Sequence, residues 1–215
     1  MSKRLAIIGG SGLIGKAFLH QVEGGQYKSV LSLGRRKLDE LTSDLIKQEI
    51  VDLENESELK SHLDVDILVC TLGTTIKNAG SEERFHQIDH GIPLLSARLA
   101  KALRCEHFIL VTAAGAHANS KFFYNRVKGE LESDIKALGF PTLHILRPGL
   151  LLGDREESRP AERVAQLIMK PLRAIMPKAA RPIKDNELAG VIHHCAMNPT
   201  PGDHILQGSD LFKLT

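Results

Sequence analysis

Tyr124 and Lys128 are the residues of this chain whose types and spacing point most directly to chemistry. They lie four residues apart on a helix predicted over residues 122–138, so both side chains leave the same face, one turn apart. An isolated tyrosine titrates at about pH 10 and is a poor acid or base at neutral pH, but a neighbouring ammonium favours the phenolate. The pair could therefore exchange a proton with a substrate, although any helix can contain this spacing by chance.

A hydroxyl that donates to the substrate oxygen would complete such a site. Thr112 is the nearest candidate, because it ends a strand predicted over residues 107–112 and precedes Tyr124 by twelve residues. The lysine can also hold the ribose of a nicotinamide cofactor. We therefore predict that Thr112, Tyr124 and Lys128 are catalytic residues, and that Tyr124 and Lys128 also contact the cofactor.

A glycine-rich turn near the start of the chain offers a place for the phosphates of a nucleotide. Residues 5–8 form an apolar run typical of a buried strand, and glycines follow at positions 9, 12 and 15 as a helix begins. Gly9 permits the tight turn, Gly12 lets a pyrophosphate approach the backbone, and Gly15 lets the helix pack close to the sheet. The helix N-terminus adds unpaired N–H groups and a partial positive charge. Such glycines can also form no more than a tight turn, but their position favours a phosphate-binding loop made by Gly9, Ser11, Gly12, Leu13, Ile14 and Gly15.

Two arginines follow the second predicted strand, which covers residues 29–33. An NAD-binding fold usually places an acidic residue about 20 residues beyond the glycines, where it holds the ribose 2′-hydroxyl. No Asp or Glu occurs between Gly24 and Leu38, and Arg35 and Arg36 stand there instead. Because a guanidinium fork matches a phosphate, we predict a 2′-phosphate site and hence NADP(H) as the cofactor. The alternative is a pair of solvated arginines in a turn.

Six apolar runs alternate with predicted helices along most of the chain, at residues 5–8, 29–33, 47–53, 64–71, 107–112 and 142–146. This alternation is typical of a parallel sheet with right-handed crossovers, which binds ligands at the carboxyl ends of its strands. We therefore predict an α/β fold with a doubly wound parallel sheet of Rossmann type, in a single domain that spans residues 1–215. The residues after the third and fourth strands become predicted cofactor contacts: Asp52, Leu53, Leu72, Gly73 and Thr74.

Two further segments have their own patterns. Helical signals run over residues 81–103, where Pro93 marks a new start or a kink. Beyond Gly153 the composition shifts, and residues 163–184 hold six Lys or Arg, no acid and three prolines. We expect residues 154–200 to contribute a small helical, loop-rich cap over the cofactor edge. A helix over residues 186–197 and a last strand over residues 204–207 are predicted near the end.

The composition is that of an ordinary globular protein, with 42% hydrophobic and 25% charged residues. A formal net charge of +2 implies no bulk attraction to nucleic acid or to a membrane surface, and no apolar run approaches the length of a membrane span. Cys70, Cys105 and Cys195 are widely spaced, which favours reduced thiols. With no room for a signal peptide before the first strand, these features predict a cytoplasmic protein. His86 and His90 have a spacing that metal sites use, but no third ligand accompanies them, so we predict no metal.

Taken together these motifs resemble the short-chain dehydrogenase/reductase superfamily, and in particular its compact atypical members. The resemblance runs from Arg4 to about Pro160. Residues 70–75, 124–130 and 146–155 look like the Tat-interactive oxidoreductase branch and are far more specific than the glycines. The resemblance implies that Tyr124 and Lys128 are the catalytic pair and that the nicotinamide is lined by Pro148, Gly149 and Leu150.

The chain also departs from the superfamily pattern. Many members carry a serine where Thr112 or Ala113 stands, which puts the third catalytic group in doubt. Asp89 lies near a position where extended members often have an asparagine, which puts their proton relay in doubt here.

The sequence therefore predicts an NADP(H)-dependent oxidoreductase that moves a hydride between nicotinamide and a small carbonyl compound or its alcohol. The rival hypothesis is a regulatory or sensor protein that binds NADPH with little turnover, which the missing serine would suit. A sugar-nucleotide epimerase is a third reading, but the residues beyond Gly153 leave little chain for its substrate pocket. Expected partners are a small-molecule substrate or anionic ligand, and either a second copy of the chain, paired through residues 81–103, or a regulatory protein.

Overall fold

Seven strands lie side by side in one parallel sheet, in a computed structural model that describes residues 3–152 and 181–214. The strand order is β3-β2-β1-β4-β5-β6-β9, with each neighbouring pair parallel. This order confirms the predicted Rossmann-type sheet, whose carboxyl ends face one edge. The strands are β1 (Lys3–Ile8), β2 (Tyr27–Gly34), β3 (Ile46–Ile50), β4 (Ile67–Cys70), β5 (His107–Val111), β6 (Thr142–Arg147) and β9 (Gly202–Gln207), and two short strands, β7 (Leu151–Leu152) and β8 (Ile183–Lys184), pair separately.

Helices cover both faces of the sheet because alternate strand residues are apolar on both sides. The α-helices of the described ranges are α1 (Leu13–His20), α2 (Glu56–Lys60), α3 (Ile76–Ala79), α4 (Glu82–His86), α5 (Ile92–Ala102), α6 (Phe123–Ala137) and α7 (Asp185–Met197). In β5, Ile109 belongs to the core shared with α1 and α7, whereas Leu110 belongs to the core shared with α2, α5 and α6. None of the helices in these ranges is long and apolar enough to cross a bilayer.

Pro93 changes the course of the helical segment before α5, as the sequence predicts. Proline has no N–H to donate to the carbonyl of Asp89, and the backbone widens into a π-helical turn over Gln87–Gly91. The Ile92 N–H accordingly donates to the Gln87 carbonyl, five residues back. Asp89 lies in this turn with its side chain fully buried.

The predicted cap over residues 154–200 stays a prediction, because residues 153–180 lie outside the described residues. The helix α7, which follows them, packs against the sheet. Its buried residues include Leu188, Val191 and Ile192, which join the core under α1. The next strand, β9, then adds to the edge of the sheet beside β6. The apolar face of α7 is buried against the sheet because it forms the crossover helix of a regular βαβ unit.

A buried polar contact ties α7 to α1 and β2. The ring of His193 stacks on Phe18 with centroids 4.1 Å apart. Because a carbonyl can only accept, His193 Nε2 donates to the Phe18 carbonyl at 3.1 Å. The other ring nitrogen of the neutral imidazole, Nδ1, therefore accepts from the Tyr27 hydroxyl at 2.8 Å. Both polar side chains therefore have their hydrogen bonds inside the core.

A row of histidines crosses the sheet near the amino ends of β5, β6 and β9. His107 Nε2 lies 2.9 Å from His144 Nδ1, and the His144 ring stacks on His204 with centroids 5.1 Å apart. Burial, with smaller contributions from the neighbouring imidazoles, lowers the pKa of His107 to about 3 and that of His144 to about 4. Both rings are therefore neutral in the folded protein at neutral pH.

These two histidines should make the fold sensitive to acid. Because their pKa values are lower in the folded chain than in the unfolded one, their stabilising contribution is present above about pH 6.5 and is lost as the pH falls toward their folded values. We expect the free energy of unfolding, measured with urea, to fall by roughly 1–2 kcal/mol for each histidine between about pH 7 and about pH 5.

The double variant His107→Leu/His144→Leu serves as the reference, since both positions are buried and leucine cannot titrate. It should lose clearly less stability than the unmodified protein over the same pH interval. The exposed His117→Asn is the control and should keep the unmodified pH dependence. Equal losses in all three proteins would contradict the assignment.

Candidate cofactor site and catalytic pair

A cavity of about 950 Å³ lies at the carboxyl ends of the central strands. Its walls come from the glycine-rich loop after β1, the turns after β4, β5 and β6, and the first turns of α6. Most predicted site residues line it together: Ser11, Gly12, Leu13, Ile14, Arg36, Leu72, Gly73, Thr74, Thr112, Tyr124, Lys128, Pro148 and Leu150. Gly9, Gly15, Arg35, Asp52 and Leu53 do not belong to its lining.

The glycines of the loop after β1 have different jobs. Gly9 has φ +90°, and a Cβ there would lie 2.6 Å from the Leu72 backbone N, while a Cβ on Gly15 would collide with the Gly9 carbonyl oxygen. These two glycines are therefore required by the fold itself. Gly12 differs, because a Cβ would meet only the Gly9 carbonyl, at 3.3 Å, and would otherwise point into open space.

The loop leads into α1 with Gly12 as its N-cap, and no side chain caps this helix. The Gly12 N–H donates to the Gly9 carbonyl at 2.9 Å, which closes the turn. The N–H groups of Leu13 and Ile14 begin the helix beside the cavity. An anion placed there would receive these donors and the positive end of the helix dipole.

The two arginines after β2 occupy different surroundings. Arg36 lines the cavity together with Lys37, a basic residue that the sequence reading passed over although it follows the arginines directly. Arg35 is not part of the cavity lining, and its charge acts on Glu54. The hydrogen bonds from Arg84, with a smaller effect of the Arg35 charge, hold the pKa of Glu54 below its usual value. Arg36 is thus the better placed of the pair for a ligand in the cavity.

Asp52 and Leu53 lie beyond β3, which ends at Ile50, three residues earlier than predicted. Leu53 is buried in the core beneath α2, and the Asp52 carboxylate accepts from the Glu54 N–H at 3.0 Å. Their predicted contact with the cofactor stays a prediction.

Tyr124 and Lys128 leave one face of α6, as predicted, but meet different environments. Tyr124 is 36% exposed, and its ring packs against Phe85 with centroids 5.6 Å apart. Its hydroxyl has no hydrogen bond within the described residues. Lys128 is only 3% exposed. Gly129 lets the helix approach the loop after β5 closely, because a Cβ there would collide with the backbone of that loop.

The Lys128 ammonium lies 2.7 Å from Asp89 Oδ1. The second carboxylate oxygen of Asp89 accepts from the Thr74 N–H at 2.8 Å. Burial opposes the charge on Lys128, but the Asp89 carboxylate, with a smaller effect of Tyr124, outweighs it and raises the pKa of Lys128. The lysine is therefore a fixed cation at the edge of the cavity.

Thr112 lines the cavity, but its hydroxyl already has an acceptor. Thr112 Oγ1 donates to Glu132 Oε1 at 2.6 Å. Glu132 is buried and also accepts from Arg147, whose Nε lies 3.0 Å from Oε1, and these hydrogen bonds raise the pKa of Arg147. The Thr112 proton points at Glu132, so this hydroxyl is not a free donor for a substrate oxygen.

The sequence alone did not indicate Asp89 as the partner of Lys128, and it gave no role to Glu132 or Arg147. A signal for Glu132 was present, since it follows Lys128 by one more helical turn on the same face of α6. Pro148, Gly149 and Leu150, the predicted nicotinamide contacts, line the cavity. The Ala114 N–H donates to the Pro148 carbonyl at 2.8 Å, which holds the turn after β6 beside the turn after β5.

With this geometry established, comparison with known sequences identifies the family. The sequence profile of the family described as HIM1 matches residues 29–176, more than half of the chain. The chain belongs to the HIM1 family.

Individual relatives agree with this membership. The rat protein HTATIP2 is 41% identical over 172 residues, which are 77% of this chain and 69% of that protein. FMP52 of Saccharomyces cerevisiae, named as mitochondrial, is 34% identical over 208 residues, 93% of this chain and 90% of that protein. The resemblance to the Tat-interactive branch is thereby confirmed.

Solved structures share the fold at low sequence identity. The Bordetella bronchiseptica enzyme WbmG in complex with NAD has a TM-score of 0.72 and 12% identity, over 99% of this chain and 76% of that chain. The Bacillus anthracis dTDP-4-dehydrorhamnose reductase in complex with NADP has a TM-score of 0.68 and 14% identity, over 96% of this chain and 75% of that chain. The fold is therefore that of nucleotide-dependent epimerases and reductases.

The predicted cytoplasmic location is wrong by the same comparison, because the fungal relatives are named mitochondrial. The features that suggested it were reduced cysteines, a small net charge and a first strand near the start of the chain. Reduced thiols indicate a reducing compartment but do not say which one.

Proposed function

We propose that this HIM1 family member is an NADP(H)-dependent oxidoreductase, acting on a small carbonyl compound or its alcohol. One observation carries the proposal. The glycine-rich loop, Arg36 and the Tyr124–Lys128 face of α6 all line a single cavity at the carboxyl edge of the sheet. A phosphate-binding loop and a proton-transfer pair in one cavity are the parts that hydride transfer to a carbonyl requires.

The parts of the cavity correspond to parts of the cofactor. The N–H groups at the start of α1 would hold the pyrophosphate, and Arg36 with Lys37 would hold the 2′-phosphate. Lys128 would hold the nicotinamide ribose, while Pro148 and Leu150 would line the ring. When bound, the nicotinamide supplies or accepts the hydride.

The protein's own contribution to the chemistry is the proton. In the reductive direction Tyr124 gives its phenolic proton to the carbonyl oxygen as the carbon receives the hydride, and solvent then returns a proton to the phenolate. The Tyr124 hydroxyl is suited to this because it lies at a cavity wall without a competing partner among the described residues. The nearby Lys128 charge stabilises the phenolate that remains.

A second candidate is an NADPH-binding regulatory protein with little turnover, and the hydrogen bonding of the Thr112 hydroxyl favours it. This hydroxyl donates to Glu132, and alanine follows Thr112 at position 113. The Thr112 hydroxyl would then not be free to bind a carbonyl oxygen together with that of Tyr124. Assays of NADPH oxidation with a panel of aldehydes, ketones and quinones distinguish the two. Measurable turnover supports the oxidoreductase, and tight NADPH binding without turnover supports the regulatory protein.

Cofactor selectivity tests the 2′-phosphate site. We expect NADPH to bind more tightly than NADH, and Arg36→Ala to weaken NADPH by about tenfold or more, since a charge-assisted hydrogen bond to phosphate is lost. NADH affinity should hardly change. Fluorescence titration with both cofactors measures this.

Arg35→Ala is the matched control, because it removes the same charge one residue away from the cavity lining. Its effect on NADPH should be clearly smaller than that of Arg36→Ala. Equal affinity of the unmodified protein for NADPH and NADH would rule out the 2′-phosphate site.

A further inference from the structure

Asp89 is a fully buried carboxylate with two fixed contacts at the edge of the cavity. Its Oδ1 lies 2.7 Å from the Lys128 ammonium, and its Oδ2 accepts from the Thr74 N–H at 2.8 Å. The π-helical turn before Pro93 sets its position, and Thr74 belongs to the turn after β4. Asp89 therefore joins two backbone segments of the cavity wall to the lysine of α6.

The surroundings of Lys128 contain few other ionisable groups. In the described ranges these are Asp89 from the π-helical turn, Tyr124 from α6 itself and Cys70 from the end of β4. Burial raises the pKa of the Cys70 thiol to about 11, so the thiol is neutral at physiological pH. Asp89 is thus the carboxylate that balances the buried ammonium.

We propose that Asp89 is a positioning residue, which keeps Lys128 charged inside the protein and holds its ammonium toward the cofactor's ribose. The inference rests on the proposed cofactor site. In this arrangement the lysine is one half of a neutral, fixed ion pair rather than an isolated cation. A neutral pair tolerates burial, whereas an isolated ammonium does not.

The variant Asp89→Asn separates charge from shape. Asparagine has nearly the same volume, and its side-chain oxygen can still accept from the Thr74 N–H. Only the negative charge beside Lys128 is lost. Burial then acts on the lysine without compensation, so its pKa should fall below the ordinary value instead of lying above it.

The first measurement is the free energy of unfolding as a function of pH, which needs no cofactor. In the unmodified protein the raised pKa of Lys128 means that its contribution is constant below about pH 10. In Asp89→Asn the unfolded chain binds more protons than the folded one at any pH between the lowered and the ordinary pKa. The stability deficit of the variant relative to the unmodified protein should therefore be largest at about pH 6. Toward about pH 9 the deficit should shrink, and the unfolding equilibrium constant of the variant should fall by up to about tenfold per pH unit.

The second measurement is the affinity for NADPH over the same pH range. Deprotonation of Lys128 removes the charge that would hold the ribose. The affinity of Asp89→Asn should therefore fall relative to the unmodified protein as the pH rises, by up to about tenfold per pH unit. Stability that recovers while affinity falls is the signature of one deprotonation, and a purely structural role of Asp89 would not produce it.

Two controls accompany the variant. Asp66→Asn removes an acid that pairs with Arg4, at 3.1 Å, at the start of β1, and that does not touch Lys128. It should show neither pH trend. Asp89→Asn/Lys128→Met removes the uncompensated charge, so its stability deficit should not depend on pH.

The outcomes separate the inference from the proposed function. If the stability deficit of Asp89→Asn is the same at every pH, Asp89 does not keep Lys128 charged and the inference is overturned. If the stability trend appears as predicted but the unmodified protein does not bind NADPH, the ion pair is supported. The role of Lys128 in holding a cofactor is then overturned, and the proposed function with it. If Asp89→Asn does not fold while the double variant does, the unbalanced ammonium is the cause and the inference stands. If neither folds, the shape of Asp89 and not its charge matters, and the inference fails.

Discussion

We expect Tyr124→Phe to lower the turnover of a small carbonyl substrate by about 10²–10⁴-fold and to leave NADPH affinity nearly unchanged. Phenylalanine keeps the ring that packs against Phe85 at the cavity wall. It removes a hydroxyl at the cavity that has no hydrogen bond among the described residues. Thr112 cannot take over, because its own proton is donated to Glu132.

The chain offers a matched control, since it has only two tyrosines and no tryptophan. Tyr27 is buried on the far side of the sheet, where its hydroxyl donates to His193. Tyr27→Phe should lower the free energy of unfolding by about 1–3 kcal/mol, because His193 Nδ1 loses its donor inside the core. Turnover per folded molecule should not change.

Rates of NADPH oxidation for the three proteins, measured with the most active carbonyl compound, decide the role of Tyr124. Equal rates for Tyr124→Phe and the unmodified protein would exclude Tyr124 as the proton donor. A loss in Tyr27→Phe as large as in Tyr124→Phe would show that the assay reports folding rather than chemistry.

Gly12→Val should abolish NADPH binding while leaving the fold intact. A valine at the N-cap of α1 would fill the space that the pyrophosphate needs. Within the protein a new Cβ would meet one atom, the Gly9 carbonyl oxygen at 3.3 Å, which would have to move by only a few tenths of an ångström. We expect a loss of at least about 100-fold in affinity, since the N–H donors of the loop can no longer reach a phosphate.

Substitutions at two other glycines serve as controls. Gly24 lies in a loop where a Cβ would meet nothing within 4 Å, so Gly24→Val should neither unfold the protein nor weaken NADPH binding. Gly15→Ala should destabilise the fold, because its Cβ would collide with the Gly9 carbonyl. Circular dichroism with NADPH titration separates these cases, and normal NADPH binding by Gly12→Val would mean that the loop is only a turn.

Local patterns were enough to predict much of the fold and part of the site. Each apolar run is short and bounded by turn residues, so the positions of the strands follow from the sequence, although β3 and β4 are shorter than predicted. The glycines reveal the tight turn after β1, because backbone crowding excludes other residues at Gly9 and Gly15. Tyr124 and Lys128 share a face of α6 because helical geometry fixes that relation within a single element.

The location of the protein was predicted wrongly from the sequence for a different reason. Composition and cysteine spacing indicate whether a compartment is reducing, but they do not identify the compartment. Only the comparison with mitochondrially named fungal relatives corrected it.

The sequence by itself determined the strands, the glycine-rich turn and the shared helix face of Tyr124 and Lys128, because each depends on residues close together in the chain. The tertiary structure decided which buried charges meet. It pairs Asp89 with Lys128 and Thr112 with Glu132, and it directs Arg36, not Arg35, into the cavity. Such pairings join separate elements, and their energies depend on burial and on distances of a few ångströms, which arise only when the sheet and its helices pack together.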